Sequence, residues 1–143
     1  MNIFMWSGPR NLSTALMRSF ENREDTNVWD EPLYAYYLKE TKKNHPMAES
    51  IINTYEANID NVIKKITEYS YDKHSYQKHM THHILKETPI EWINKGENCF
   101  LIRDPKDVIL SYIKKNDLNN SDDIGFPMPV SYTHLTLPTI LLV

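Results

Sequence analysis

The amino-acid sequence predicts an α/β fold: a three-layer α/β/α domain with a mostly parallel central sheet. Two observations predict it. Short apolar runs end abruptly at turn residues, and a helical pattern of apolar residues follows each run. Strands that alternate with helices in this way are typical of parallel sheets with crossover helices. The chain has 143 residues, 41% of them hydrophobic and 24% charged, which suits one soluble domain.

Four segments are predicted strands, and the first and last of them are short apolar runs bounded by turn or polar residues. They are residues 3–6, 26–29, 76–80 and 98–102. The carboxyl ends of parallel strands meet at one edge of a sheet, where ligands bind in such folds. Two of these ends carry an arginine, Arg10 and Arg103. The sequence therefore predicts an anion site at that edge.

Helices are predicted between the strands. The first follows a cap at Ser13 or Thr14, and the second covers residues 33–38 with Pro32 at its start. A single long helix is predicted after Pro46, because apolar residues between 51 and 69 form one stripe at helical spacing. Residues 82–95 are predicted to be helical in pieces. The last helix is predicted to be capped at residues 104–105, with the side chains of residues 108, 109, 112 and 113 facing the core.

Composition excludes several classes of function. Lys plus Arg number 16 against 19 Asp plus Glu, a net charge of -3, so no nucleic-acid partner is expected, since phosphate neutralisation needs a surplus of cations. One cysteine excludes an internal disulfide and a cysteine-rich zinc site. No apolar run approaches the roughly 20 residues that cross a bilayer, and no signal peptide begins the chain. The expectation is a cytoplasmic protein without a membrane partner; its oligomeric state is left open.

The C-terminal tail differs in composition from the rest of the chain. Residues 130–143 contain no Asp, Glu, Lys or Arg, and the change is abrupt at Pro129. This string resembles the read-through translation of a transposase-type sequencing adapter; the alternative is an apolar C-terminal strand. The prediction is a native domain part at residues 1–129, truncated at its C-terminus, and a non-native tail at 130–143.

The loop after the first strand is a candidate anion site. It joins a strand to a helix N-terminus, where free N–H groups and the helix dipole favour a phosphate or sulfate. Arg10 adds a fork of donors, and Asn11, Ser13 and Thr14 add neutral ones. The alternative is a capped helix with a solvated Arg10. Ser13 and Thr14 stand where a Walker A loop has its second glycine and its lysine, so a magnesium-dependent NTPase fits badly.

The second candidate site lies at the end of the fourth predicted strand. Arg103 ends that strand, and Ser111 follows two turns into the next helix. Ser111 interrupts an otherwise apolar face, so its hydroxyl needs a partner. A backbone carbonyl one turn earlier and an anion held by Arg103 are both open as that partner.

The two sites together resemble the sulfotransferases that use 3'-phosphoadenosine-5'-phosphosulfate (PAPS), which have a P-loop-NTPase-like fold. The resemblance implies that Arg10, Asn11, Leu12, Ser13 and Thr14 hold the 5'-phosphosulfate, with Leu12 in place of the usual glycine. It further implies that Arg103 and Ser111, with Pro105 between them, bind the 3'-phosphate. Residues 6–16 and 30–34 also resemble a bacterial and plant subgroup sometimes labelled after branched-chain aminotransferases, although nothing resembles a pyridoxal-phosphate lysine site.

The resemblance also implies where the acceptor is deprotonated. In the family a lysine and a catalytic histidine end the third strand, and Lys78 with His79 is similar, although the usual register places the histidine where Met80 stands. His82 and His83 are therefore alternatives, and Glu31 is another because some relatives use a glutamate. A neutral imidazole suits general-base work near pH 7. The three histidines also permit a zinc site, but no metal is the favoured interpretation.

The sequence thus predicts an enzyme: a sulfotransferase that moves the sulfuryl group of PAPS to an acceptor hydroxyl or amine. A small-molecule or nucleotide kinase and a non-catalytic nucleotide-binding fragment are the alternatives. The family's C-terminal segment, which closes over the nucleotide, has no counterpart in this sequence, so little or no turnover is expected of this chain. The acceptor is expected to be a small molecule that the sequence does not identify. Candidates for an aromatic entrance to its site are Trp29, Tyr34, Tyr36 and Tyr37.

Overall fold

A central parallel sheet organises the molecule. The computed structural model describes residues 1–68, 72–114, 124 and 139–142. Within these ranges the strands are β1 (Asn2–Ser7), β2 (Thr26–Asp30), β3 (His74–Met80), β4 (Glu97–Ile102) and β5 (Thr139–Leu142). Their order across the sheet is β2-β3-β1-β4-β5, and every pairing is parallel. The predicted α/β fold and the four predicted strands are confirmed.

The helices connect these strands. They are α1 (Ser13–Glu21), α2 (Tyr34–Thr41), α3 (Ala48–Thr54), α4 (Ile59–Thr67) and α5 (Pro105–Tyr112). Two 3-10 helices, Thr81–His83 and Glu91–Lys95, fill the connection from β3 to β4, where helical pieces are predicted. None of the helices in the described part of the chain is long and apolar enough to cross a membrane.

Each face of the sheet has its own apolar core. On one face Met5, Tyr76 and Leu101 pack with Met17 of α1. On the opposite face the alternate residues Phe4 and Trp6 pack in a cluster that α4 and the second 3-10 helix complete; its other members are Leu33, Val62, Ile66, Ile84, Trp92, Ile93 and Phe100. Successive side chains of a strand point to opposite faces. The three-layer architecture follows from this alternation.

The long helix predicted after Pro46 is wrong. Two shorter helices, α3 and α4, replace it, with residues 55–58 between them in non-helical conformation. Asn58 lies in the extended region, and its side-chain oxygen accepts a hydrogen bond of 3.1 Å from the Asn61 amide. Asn favours this capping position because the bond satisfies an amide that the helix leaves free. The apolar stripe is therefore shared by two helices, and only α4 buries members of it fully, at Val62 and Ile66.

The start of helix α1 differs from the prediction, whereas the start of helix α5 agrees with it. Helix α1 has Leu12 at its N-cap with no side-chain hydrogen bond, so the predicted cap at Ser13 or Thr14 is wrong. Helix α5 has the predicted cap: Asp104 Oδ1 accepts from the Lys106 amide at 2.8 Å, and Pro105 follows. Of the residues predicted to face inward from α5, Val108 is fully buried while Ile113 is half exposed.

Strand β5 lies within the tail of distinct composition. Residues 139–142 pair with β4 residues 99–102 in parallel register, at the edge of the sheet. This pairing satisfies backbone groups of β4 and depends little on the side chains of the added strand. The origin of the tail stays a prediction.

Gly96 permits close packing between the second 3-10 helix and β1. An added Cβ would lie 2.7 Å from Phe4 Cε2 and 3.0 Å from the Asn2 carbonyl oxygen. Overpacking of this kind costs about 1–3 kcal/mol. We expect Gly96→Ala to lower the free energy of unfolding by this amount in urea denaturation, and by less in a Phe4→Leu background, where the ring is removed. An equal loss in both backgrounds would contradict the assigned contact.

Candidate functional site

Polar residues gather at the edge of the sheet where the strands end. Because β1 pairs with β3 and β4, and β3 with β2, the carboxyl ends of all four strands lie side by side. Adjacent strands are about 4.8 Å apart. The segments that follow β1, β2 and β4 carry Arg10, Glu31 and Arg103, respectively. The edge that the sequence predicts as the site is therefore one continuous surface.

The loops after β1 and β4 meet through their arginines. Arg10 Nε donates a hydrogen bond of 2.9 Å to Ser111 Oγ, and Arg103 Nη1 donates one of 3.2 Å to the Arg10 carbonyl oxygen. Arg103 Nη2 also lies 3.9 Å from Asp107 Oδ2. Ser111 thus has the Arg10 guanidinium as its partner, a third possibility beside the two considered from the sequence. We call Arg10, Arg103 and Ser111 the arginine junction.

The arginine junction has an excess of positive charge. Arg10 is exposed and forms no ion pair with any residue in the described ranges, while Arg103 has only the long contact with Asp107. Guanidinium groups present planar, forked donors that match phosphate and sulfate oxygens. The helix start of α1 adds free amides beside them. The junction is therefore equipped to bind an anion.

The loop after β1 contains two residues with strained backbone. Arg10 has φ of 63° and Leu12 of 61°, both in the left-handed region; Glu31 after β2 (49°) and Lys42 at the end of α2 (50°) are the others in the described part of the chain. Each non-glycine residue there costs about 1–2 kcal/mol, and such residues cluster where function requires a particular backbone path. The glycine that the family resemblance places at Leu12 would adopt this conformation without that cost.

Asn11 and Gly8 hold the loop against the sheet. Asn11 is buried, and its Nδ2 donates a hydrogen bond of 3.3 Å to the Leu101 carbonyl oxygen of β4. A Cβ at Gly8 would lie 2.8 Å from the Ile124 carbonyl oxygen, so the backbones approach closely there. Asn11 therefore positions the loop, and its role as a direct ligand stays a prediction.

The two hydroxyl residues of the loop begin α1 and differ in exposure. Ser13 is the first residue of the helix and is buried, while Thr14 next to it is exposed. Their amides are among the four at a helix start that lack an intrahelical acceptor. Leu12 before them is 55% exposed, so its side chain is not packed in the core and leaves the helix end open to solvent. The structure brings all five predicted residues of this loop to the strand-end edge.

Lys78 and Glu31 form an ion-pair cluster on the β3 and β2 side of the β1 loop. Lys78 Nζ lies 2.7 Å from Asp30 Oδ1 and 2.5 Å from Glu31 Oε1, with the lysine side chain only 4% exposed. Burial lowers the Lys78 pKa, but the charges of Glu31 and Asp30 and their hydrogen bonds outweigh burial, so the pKa is raised. Lys78 is thus charged at neutral pH and fixes both carboxylates.

Asp30 is the member of this cluster that sequence reasoning missed. It pairs in register with Lys78 on the neighbouring strand, and its carboxylate completes the cluster. The signal was present: an acidic residue ends the second strand directly before Glu31, and a lysine stands near the end of the third. Only the β2–β3 pairing shows that these ends are adjacent, since the two strands are separated by more than forty residues in the chain.

His79 does not reach this edge. Its ring is 1% exposed and stacks on Trp6 with centroids 4.6 Å apart, in edge contact with Phe4 at 5.6 Å. Burial lowers the pKa of His79 to about 3. Nε2 lies 3.3 Å from Gln77 Oε1. The structure places His79 in the apolar core, on the opposite face of β3 from Lys78, and does not bring it together with the arginine junction.

His82 and His83 follow β3 in the first 3-10 helix. His83 is buried between Tyr34 and Tyr37, with ring centroids at 5.1 and 4.8 Å. Burial holds the pKa of His83 well below its usual value, and burial followed by Lys43 lowers that of His82 to about 4. Both are neutral near pH 7. Within the described residues, no three His, Cys, Asp or Glu side chains are arranged to hold a metal ion.

Leu12 and Leu110 allow a matched test of the loop strain. Leu12→Gly removes the left-handed cost of about 1–2 kcal/mol but adds about 0.4–1 kcal/mol of unfolded-state entropy, so we expect a net gain of about 0.5–1 kcal/mol. Leu110 is similarly exposed but lies within helix α5, where glycine costs about 1 kcal/mol. Urea denaturation of both variants measures this. Equal destabilisation would contradict the strain at Leu12.

Acid destabilisation should report the burial of His79. Its pKa is about 3 in the folded chain and about 6.5 when unfolded, so its contribution to stability is complete above pH 6.5 and is lost as pH falls. The slope is at most about 1.4 kcal/mol per pH unit. We expect His79→Phe to flatten the pH dependence of unfolding between pH 6 and 4. The exposed His45→Phe is the control; the same flattening there, or none in His79→Phe, would contradict the assignment.

Comparison with known proteins gives the chain its family. The sequence model of the sulfotransferase domain matches residues 1–136. Two Arabidopsis thaliana proteins, named branched-chain-amino-acid aminotransferase-like proteins 1 and 2, are 40% identical over 113 residues and 39% over 114. Each match covers 78% of this chain and 20% of the relative. The chain thus spans about a fifth of the length of these curated relatives.

A solved structure was also found to be similar. The shikimate kinase of Bacteroides thetaiotaomicron superposes with a TM-score of 0.49 at 16% sequence identity, covering 94% of this chain and 78% of the kinase. The fold assignment rests on the strand order and register described above. The match to the sulfotransferase domain spans nearly the whole sequence, arginine junction included, and the subgroup label expected from residues 6–16 and 30–34 is the one its relatives carry. The chain therefore belongs to the sulfotransferase domain family.

Proposed function

We propose that this chain binds PAPS across the arginine junction and that its site is built to transfer the sulfuryl group to a small-molecule hydroxyl or amine. The observation that carries the proposal is the meeting of two loops ninety-three residues apart, in which Arg103 Nη1 contacts the Arg10 carbonyl and Arg10 Nε contacts Ser111 Oγ. A nucleotide with anionic groups at both ends of its sugar needs cations from two places. The junction supplies both.

The 5'-phosphosulfate is assigned to the loop after β1. The free amides at the start of α1, the Arg10 guanidinium and the hydroxyls of Ser13 and Thr14 are the donors. Asn11 and Leu12 shape the loop: the first by its bond to Leu101, the second by its left-handed backbone. A single fixed cation suits a sulfuryl group, which carries one charge fewer than a phosphoryl group, so a magnesium ion is not required by the electrostatics.

The 3'-phosphate is assigned to Arg103 and Ser111. Arg103 is 24% exposed and reaches toward the loop after β1, while the hydroxyl of Ser111 is held by Arg10 Nε. A phosphate bound there would replace the long contact of Arg103 with Asp107 by shorter charge-assisted bonds. Ser111 can accept from Arg10 and still donate its own proton to the phosphate.

Glu31 is the base that the geometry favours. In the transfer, a lone pair of the acceptor oxygen or nitrogen forms the new bond to sulfur. The bond from sulfur to the bridging oxygen breaks with its electron pair, leaving 3'-phosphoadenosine 5'-phosphate. The acceptor proton passes to a carboxylate oxygen of Glu31, which Lys78 fixes at the strand-end edge. His82, which is only partly buried just beyond β3, is the alternative base, since His79 and His83 are both buried.

The proposal is tested by titrating the product nucleotide, 3'-phosphoadenosine 5'-phosphate, into the chain by calorimetry. Loss of a charge-assisted hydrogen bond to phosphate costs about 1.5–3 kcal/mol, so we expect Arg103→Ala to bind about 10–100 times more weakly. Lys95→Ala is the control. This exposed lysine precedes β4, at the amino ends of the strands, and is therefore far from the site at their carboxyl ends. It should bind as the parent does.

The same experiment separates the rival functions. Equal heats from the parent and Arg103→Ala would remove Arg103 from the site. Thermal protection by ATP with magnesium, in the absence of protection by 3'-phosphoadenosine 5'-phosphate, would favour a kinase. A non-catalytic binding fragment would bind the nucleotide in the same Arg103-dependent way and transfer no sulfuryl group when PAPS and an acceptor are supplied.

A further inference from the structure

A cavity opens beside the ion-pair cluster, at the β2 side of the sheet. It has a volume of about 670 Å³ and lies between the edge strand β2 and helices α2, α3 and α4. This volume is within the range of about 300–1,000 Å³ that holds small organic ligands. Its wall includes Glu31, the favoured base, so it is the space in which an acceptor can reach that carboxylate.

Aromatic side chains form much of the wall. Trp29, Tyr34 and Tyr55 line the cavity, with Tyr55 65% exposed at its rim. Tyr34 is held in place by stacking on the His83 ring. Tyr36 and Tyr37, by contrast, are buried and do not line it. The predicted aromatic entrance is thus reduced to Trp29 and Tyr34, with Tyr55 added. Aromatic side chains of this kind favour a flat ligand or a cation.

The charges around the cavity do not balance. Asp30, Glu31 and Glu56 line it, opposed by Lys65 in the wall and Lys78 behind it. Arg18 also acts on Asp30, but its charge is offset by its ion pair with Glu21. The Asn58 amide hydrogen bond lowers the pKa of Glu56, with a smaller contribution from Lys65, so Glu56 is ionised and offset by that lysine. Three carboxylates and two lysines therefore leave one negative charge, at the end of the cavity away from Glu56 and Lys65.

That remaining charge lies on the Asp30–Glu31 pair. Lys78 Nζ contacts one oxygen of each carboxylate, Asp30 Oδ1 and Glu31 Oε1. The second oxygen of each accepts no hydrogen bond from the part of the chain that the structure describes. Two carboxylates therefore share one ammonium group and keep two free acceptor atoms, and both residues line the cavity together with Trp29 and Tyr34.

From this arrangement we infer that the cavity binds a small organic cation, an amine with a flat apolar body, and that the acceptor class is an amine that also carries a hydroxyl group. The hydroxyl oxygen is then the nucleophile, because the ammonium nitrogen that the carboxylates hold has no lone pair. The acceptor part of the inference rests on the proposed function. A cation is attracted by the free carboxylate oxygens and by the ring faces, and an anionic donor at the arginine junction would attract it further. An anionic acceptor would be repelled by both.

Three probes of one shape and different charge test the inference by calorimetry. Tyramine is the cation, 4-ethylphenol the neutral analogue and 4-hydroxyphenylacetate the anion. We expect tyramine to bind at least about tenfold more tightly than either of the others, since a desolvated cation adds carboxylate and aromatic contacts that they lack. Equal affinity of tyramine and 4-ethylphenol, or no binding of tyramine, would overturn the inference.

Variants locate the binding. Glu31→Gln should weaken tyramine about tenfold by removing the shared negative charge, and Tyr55→Ala should weaken it about threefold or more. Because Tyr55 is exposed, its removal leaves the fold intact and keeps the test valid if Glu31→Gln fails to fold. Glu97→Gln, an exposed carboxylate at the start of β4, is the control and should bind as the parent does. Unchanged affinity in Tyr55→Ala would overturn the assignment to this cavity.

The two proposals fail separately. Binding of 3'-phosphoadenosine 5'-phosphate that depends on Arg103, without selective binding of tyramine, leaves the sulfotransferase assignment and removes the cationic acceptor. Selective binding of tyramine that depends on Tyr55, without nucleotide binding, keeps the cation cavity and removes its role as an acceptor site.

Discussion

The parallel pairing of β1 with β3 on one side and β4 on the other is the constraint on which the site depends. It places the ends of strands that are distant in the chain at one edge, so that the loop after β1 meets both the segment after β4 and the carboxylates after β2. Side-chain hydrogen bonds to β4 reinforce the register. Trp6 Nε1 donates to Asn98 Oδ1 at 2.8 Å, and Asn11 is tied to Leu101.

This edge carries charge in two places with opposite sign. The arginine junction presents guanidinium groups that are incompletely paired, while the cluster around Lys78 holds more carboxylate than ammonium charge. The two are about two strand spacings apart, on the order of 10 Å. The proposed nucleotide, anionic at both ends, and the proposed cationic acceptor would each be attracted to the place of opposite charge and to one another. Positioning of this kind is the main source of rate in group transfer.

The apolar core and the site draw on alternate residues of the same strand. In β3, Gln77 and His79 face the aromatic cluster, whereas Lys78 between them faces the carboxylates. A shift of register by one residue would exchange the buried histidine and the buried lysine. The aromatic packing around Trp6 therefore also fixes the ion-pair cluster. Because His79 stacks on Trp6, the neighbouring Lys78 side chain points to the opposite face of the sheet.

The sequence by itself determined the strands, the parallel class and the arginines at the strand ends, because these depend on local apolar runs and turn residues. It also determined the family, whose motifs are short and contiguous. Tertiary structure decided the rest. The break at residues 55–58 came from capping by Asn58, which periodicity alone does not register, and burial of His79 and recruitment of Asp30 came from strand register between distant segments. Local patterns specify which residues form an element, but which face of that element is buried depends on its neighbours.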